Sequence, residues 1–344
     1  MRRSLAFLLL IHCAAAGALY SVCPNEAFIY PCKCTYTVIG FRVICAGVSN
    51  SDVLRTPFLY LASYKLHTLA LKNANLSVNA DFFSGLDVGS IKVEDSTFRV
   101  TTGGVSGRKL LSMGRSTFES LEDKLEVLYV RHSQLDLGNT NLGPMKRLVN
   151  LSINRSRIRI LRKAWFDGLS QLRSFAMDSS KVESVEDEAL SGLANVNRLV
   201  WKTSGLSHMR RTYFPPIAYE LKYLDLSDNK LSSLPDDIFT NMPMLETVLL
   251  SRNAFHVLLR QPWIPVLHEK LKAVYLDGNP LVCNSTCQWI IEDLENKVHF
   301  LLLHTSPVSV HLFTKPLPRC STHPPCFTQT NAVETSFFGP LSMQ

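Results

Sequence analysis

Apolar residues recur at the first, fourth, sixth and eleventh positions of a frame that begins at Leu66 and returns about every two dozen residues. Ten copies start at Leu66, Val88, Arg108, Leu125, Leu148, Leu172, Val196, Leu221, Leu245 and Leu271, separated by 17 to 26 residues. The clearest read LKYLDLSDNKLSSLPDDIF from Leu221, LETVLLSRNAFHVL from Leu245 and LKAVYLDGNPL from Leu271; the copy at Arg108 is the least regular. Each unit is long enough for one short strand and a turn, and too small to bury its apolar face alone. Stacking buries that face against its neighbours. The pattern therefore predicts a curved solenoid with a parallel sheet on its concave side.

Within the frame, positions 1, 4, 6 and 11 are predicted to point inward, as in Leu148, Leu151, Ile153 and Ile158, with Trp201 as a large core residue at position 6. Position 9 is Asn in the pattern L-x-x-L-x-L-x-x-N-x-L of a leucine-rich repeat, where the carboxamide both donates and accepts between coils. Here Asn stands only at Asn229, Asn253 and Asn279. Ala74 opens the column, and Ser fills it at Ser96, Ser116, Ser133, Ser156, Ser180 and Ser204. A hydroxyl keeps part of such a ladder, so the expectation is a less regular N-terminal half and a firmer C-terminal half. F-x-x-L steps at Phe83–Leu86 and Phe166–Leu169, with Phe239–Met242 as a variant, are predicted to pack the convex side, and the Gly/Thr-rich stretch 100–107 to distort the coils near Arg108.

The ends differ from the middle. Arg2 and Arg3, the apolar run Leu5 to Ile11 and the small residues Ala14 to Ala18 read as a secretory signal peptide over residues 1–18. The expected organisation is then an N-terminal cysteine cap over 19–65, about ten repeats over 66–281, a C-terminal cysteine cap over 282–326 and a disordered tail over 327–344. The eight cysteines beyond the signal form two groups, Cys23, Cys32, Cys34 and Cys45 at one end and Cys283, Cys287, Cys320 and Cys326 at the other. An even count in a secreted chain reads as disulfides, and the one-residue Cys32–Cys34 spacing argues against zinc. Caps at both ends answer a solenoid's need to cover its terminal apolar faces. No second apolar segment is long enough to span a bilayer, so the chain is expected to be secreted and extracellular.

The formal charge of +7 falls to +5 without Arg2 and Arg3, too little to suggest nucleic-acid binding. Positions 3, 5 and 7 alternate onto the concave face. Neither row there assembles a nucleophile, base or metal-ligand set, so the chain is expected not to be an enzyme and to need no cofactor. Arg131, His132, Arg155, Arg157, Arg159, Arg162 and Lys163 make the middle coils basic, a possible seat for an anionic glycan. Four N-x-[S/T] sequons occur at Asn75, Asn150, Asn154 and Asn284. Glycans on Asn150 and Asn154 would block the middle of the concave face. The partner site, for an extracellular protein or receptor, is therefore expected at Tyr223, Asp225, Leu249, Tyr275 and Asp277, with Tyr275 as the anchor.

Cys23-Pro24 with Pro31-Cys32-Lys33-Cys34 and Cys45 resembles the N-terminal cap of extracellular leucine-rich repeat proteins, and Asn279-Pro280-Leu281 leading to Cys283 and Cys287-Gln288-Trp289 resembles the C-terminal one. The resemblance implies bridges Cys23–Cys34 and Cys32–Cys45. At the other end the cysteine spacing departs from the family, so the pattern stays open, with Cys283–Cys320 and Cys287–Cys326 the expected pairs. The serine column, the CP…PCKCT opening and the NADFFSGL step look like a narrower group of secreted arthropod proteins, similar to the non-catalytic subunits of luciferin monooxygenases of the Oplophorus type. That likeness implies a scaffold without catalysis of its own. The main expectation is a protein-binding module; the alternative is an accessory subunit of a secreted oxidative enzyme.

Overall fold

The chain divides into two units, residues 1–307 and 308–344; the computed structural model describes residues 22–79, 81–101, 117–267, 269–282, 289 and 299–301, all in the first. The proposed signal peptide, the tail, the copy at Arg108, the sequon at Asn284 and the four C-terminal cysteines lie outside the described residues.

An antiparallel hairpin opens the large sheet, formed by β1 (Cys32–Thr37) and β2 (Gly40–Ala46). From β2 onward all pairings in this sheet are parallel. One strand is added per coil: β3 (Lys65–Lys72), β5 (Asp87–Glu94), β7 (Val127–Arg131), β9 (Asn150–Asn154), β11 (Ser174–Asp178), β13 (Arg198–Lys202), β14 (Tyr223–Asp225), β15 (Thr247–Leu249), β16 (Ala273–Tyr275) and β17 (His299–Leu301). The frame places every strand from β7 to β16 at or within positions 3 to 7. The copy at Arg108 adds no strand to this order, because β5 pairs directly with β7, Ser90 beside Val127 and Glu94 beside Arg131. The last strand, β17, carries the sheet into the region read from sequence as the C-terminal cap.

Inward positions are buried as the frame requires. Leu148, Leu151, Ile153 and Ile158 are at most 1% exposed, and Trp201 is fully buried. Burying one such aliphatic side chain is worth about 1.5–3 kcal/mol relative to leaving it in water, so each coil gains from neighbours what it cannot supply itself. Phe83, Phe166 and Phe239 of the F-x-x-L steps are buried on the far side. There the coils approach closely: a Cβ on Gly192 would lie 2.1 Å from the Phe166 carbonyl oxygen.

At position 8 every described coil turns through a left-handed residue: Asn73, Asp95, His132, Arg155, Ser179, Thr203, Asp228, Arg252 and Gly278, with φ from 47° to 72°. After that turn the coils diverge. From the Ala74 coil to the Ser180 coil the chain runs straight into a second parallel sheet of β4 (Asn75–Val78), β6 (Thr97–Val100), β8 (Gln134–Asp136), β10 (Arg157–Leu161) and β12 (Lys181–Val185), whereas the Ser204 coil, whose Leu206 N–H is taken by Asn229, has no strand there. In the asparagine half no second sheet forms among the described residues, and the main strands shrink to three residues. The two halves therefore differ in construction: among the described residues the N-terminal half has two parallel sheets and the C-terminal half one.

The position-9 side chains give the reason. The Ser133 hydroxyl accepts from the Ser96 N–H (3.1 Å) and donates to the Arg131 carbonyl (2.7 Å). Ser156 and Ser180 repeat this in the next two coils. Being short, serine reaches the position-9 N–H and, at Ser180, the Ile153 carbonyl (2.9 Å) of the preceding coil, and leaves that coil's following N–H groups free to pair in the second sheet. Asparagine reaches further: Asn253 Oδ1 accepts from the Leu231 N–H (3.0 Å), and its Nδ2 donates to the Leu226 and Leu250 carbonyls (2.9 and 3.0 Å). The N–H it takes, at position 11, belongs to a residue that in the serine coils lies inside the second sheet.

The hairpin end is closed by disulfides Cys23–Cys34 and Cys32–Cys45, the pairs implied by the family resemblance. Helices α1 (Glu26–Ile29), capped by the Asn25 side chain, and α2 (Arg55–Leu61) cover the first coil with Ile29, Phe58 and Leu61. At the other end Trp289 is buried, its Nε1 donating to the Leu258 carbonyl (3.0 Å), and its ring lies 6.5 Å from that of Trp263.

Candidate functional site

Strand register fixes what the outer face of the large sheet presents. Asp225, Leu249 and Tyr275 are consecutive Cα partners on β14, β15 and β16, and Tyr223 is the first residue of β14. Tyr223, Leu249, Tyr275 and Asp277 are partly exposed. Tyr223 is held by a cation–π contact, the Arg198 guanidinium lying 3.9 Å from its ring centre. Both occupy position 3 of adjacent coils, a juxtaposition the repeat frame could have disclosed.

Asp225 departs from the expected accessible row. It is only 5% exposed, and its Oδ1 accepts the Ser227 N–H (3.0 Å). Alternation gives its direction correctly, but its neighbours cover it, as they do Val200 one coil earlier (5%). Asp225 therefore braces the face and offers a partner little surface.

The rim is charged and mostly self-paired. Arg252 Nη2 lies 2.6 Å from Asp228 Oδ2, and its Nη1 lies 3.6 Å from Asp277 Oδ2. The Ser251 hydroxyl donates to Asp277. The hydrogen bond from Arg252 holds the Asp228 carboxyl below its ordinary pKa and raises that of Arg252 itself. Sequence reasoning missed this cluster, because it joins position 8 of one coil to position 8 of the coil before and position 7 of the coil after.

Around the sequons, Asn75 and Asn150 are exposed, whereas Asn154 is partly buried and donates from Nδ2 to the Ser152 hydroxyl (3.1 Å). The basic middle splits in two. Arg159, Arg162 and Lys163 pair with Asp136, Glu186 and Glu188 of neighbouring coils (3.5, 2.6 and 2.5 Å), and His132 with Asp95 (3.4 Å). Among the described residues, no three His, Cys, Asp or Glu side chains converge to hold a metal ion, and no helix is long and apolar enough to cross a membrane.

Comparison with known proteins agrees with this geometry. A family model described as leucine rich repeat matches residues 146–200 and 219–281. Lumican from Bos taurus is 29% identical over 182 residues, covering 46% of this chain and about half of lumican's own length, 50%. A chain in the solved octameric complex of Latrophilin 3, Unc5D and FLRT2 superposes with a TM-score of 0.53 at 16% identity, covering 81% of this chain and 92% of that one. Strand register, the position-9 column and the matched repeats together show that the described residues form a leucine-rich repeat fold.

Proposed function

We propose that this chain is a secreted, extracellular protein-binding scaffold without catalytic activity, and that its partner docks on the outer face of the coils between Leu221 and Leu281. The observation that carries this reading is the partly exposed set Tyr223, Leu249 and Tyr275, spread over three adjacent strands with the charged rim of Asp277 and Arg252 beside it. Aromatic anchors next to satisfied polar groups are the composition of interface hot spots. The sequon at Asn150, exposed in the middle of the same face, directs a partner away from the central coils. Support by analogy comes from the octameric complex, in which FLRT2 assembles with other proteins. N-linked glycans are proposed at Asn75, Asn150, Asn154 and Asn284. Nothing among the described residues favours the accessory-subunit reading over this one.

The test is a photo-crosslinking residue placed at Tyr275 and, as control, at exposed Arg99 on the second sheet, in chain added to its native fluid. A defined partner crosslinked from 275 and absent from 99 supports the reading; equal crosslinking from both sites, or from neither, refutes it. With the partner in hand, Tyr275→Ala should weaken binding by about 1–2 kcal/mol without lowering secretion.

A further inference from the structure

The basic residues of the middle coils are not equivalent. Arg159, Arg162 and Lys163 are neutralised by carboxylates of neighbouring coils. Arg131, Arg155, Arg157 and Lys181 are exposed and make no ion pair among the described residues. These four cluster at the corner where the chain leaves the large sheet for the second one. Arg131 is the Cα partner of Asn154, the residue before Arg155, and Arg157 is the Cα partner of Lys181. Adjacent strands lie about 4.8 Å apart, so the cluster spans three coils within some 10 Å. The carboxylates on this corner are taken: Glu94, the Cα partner of Arg131, pairs with Lys72 (2.5 Å), and Asp178 has Oδ2 3.7 Å from Lys202 while its Oδ1 accepts from the Ser179 hydroxyl (3.0 Å).

An open groove of about 630 Å³ runs along the same corner over the preceding coils, ending at His132 and Gln134. Gln134 is the Cα partner of Arg157, so the groove leads directly to the arginines. Its lining of Ser49, Asn73, Thr97 and Gln134 supplies hydroxyl and carboxamide groups, the Asp95 carboxylate lies 3.4 Å from His132, and no Phe, Tyr or Trp lines it.

We propose that this corner is a binding site for a sulfated polysaccharide, with Arg131, Arg155 and Arg157 taking sulfate groups and the groove taking the neutral part of the sugar chain. Guanidinium groups match the planar, two-pronged recognition of oxyanions. Hydroxyl and amide linings suit sugar hydroxyls, whereas a single-stranded nucleic acid asks for aromatic platforms. Unpaired cations give up no internal ion pair on binding, which is what separates these arginines from their neighbours. Two sequons border the site: Asn75 lines the far end of the groove, and Asn154 is the Cα partner of Arg131, whereas Arg155 and Arg157 lie beyond the turn and are exposed.

The experiment is calorimetric titration of the full disulfide-bonded chain with a size-defined heparin oligosaccharide, its chemically desulfated form, and a single-stranded DNA of matched charge. The triple variant R131Q/R155Q/R157Q should bind the sulfated sugar ~10-fold or more weakly and show a shallower dependence on salt between about 50 and 200 mM. Its folding is checked by an unchanged melting temperature, since the three side chains hold nothing else in place. A charge-matched variant on the hairpin and first coil, K33Q/R42Q/K65Q, should stay within ~2-fold of the parent. An equal loss in that control, equal binding of the desulfated sugar, or tighter binding of the DNA would overturn the proposal.

Discussion

The coils built on serine and those built on asparagine share one inward pattern and one left-handed turn, yet they make different walls. From Ser96 to Ser180 the hydroxyl accepts the position-9 N–H of the preceding coil and, at Ser180, donates to the Ile153 carbonyl of that coil (2.9 Å), and the chain beyond it pairs as a second sheet. From Asn229 to Asn279 the carboxamide reaches further, to the position-11 N–H of the preceding coil. Asn229 Oδ1 accepts from both Ser204 and Leu206 N–H groups (3.0 and 3.1 Å), and the second wall becomes loop. A residue's reach, rather than its polarity, decides the architecture. The same divide separates the two surfaces: the amphipathic row of Tyr223, Leu249 and Tyr275 belongs to the asparagine coils, and the arginine corner to the serine coils.

The strongest test of this contrast is removal of one ladder residue from each half. Asn253→Ala leaves the buried Leu231 N–H without its partner and takes one of two asparagine donors from each of the Leu226 and Leu250 carbonyls, and should cost about 2–4 kcal/mol in urea unfolding. Asn253→Ser, too short to reach Leu231, should recover no more than about half of that; full recovery would show the two side chains to be interchangeable. Ser156→Ala removes a single accepting atom from the Ser133 N–H and should cost about 1–2 kcal/mol. A loss as large as that of Asn253→Ala would mean that the hydroxyl column carries the serine half by itself, and that the second sheet adds little.

Much of this was legible in the sequence, and the failures have particular causes. Burial at Leu148, Leu151 and Ile153 follows from spacing, since only one face of each coil can be dry. The frame put the copy at Arg108 between the strands β5 and β7, which pair directly with each other; the copy itself lies outside the described residues. The serine column was visible, while the second sheet was not: counting lost hydrogen bonds misses the N–H groups that a shorter side chain releases to it. Asp225 shows the same limit at the candidate site, where alternation gives direction and only packing against neighbouring coils gives exposure. The arginines were grouped correctly as basic, but which of them are neutralised depends on carboxylates one coil away.

The smallest expected effect concerns charge at the rim of the asparagine half. Arg252 lowers the pKa of Asp228, so this pairing contributes above the ordinary carboxylate range and is lost as pH falls through the depressed folded value. Arg252 is 59% exposed on its side chain, and solvent screening keeps the contribution below about 1 kcal/mol. Arg252→Gln should lower stability by that small amount at neutral pH, with the difference fading once Asp228 is protonated. A difference that persisted in strong acid would trace to packing of the arginine stem rather than to its charge.

Hydrogen exchange of the intact chain compares the two walls most directly. The backbone amides of β8 and β10 lie inside the second sheet, whereas residues 232–234 and 256–257 follow the turn in the asparagine coils without a strand. The amides of β8 and β10 should exchange ~100-fold or more slowly relative to those loop amides, with Leu231 and Phe255, both held by asparagine carboxamides, protected as islands among fast neighbours. Uniform protection across both walls, or fast exchange at Leu231 and Phe255, would contradict the account.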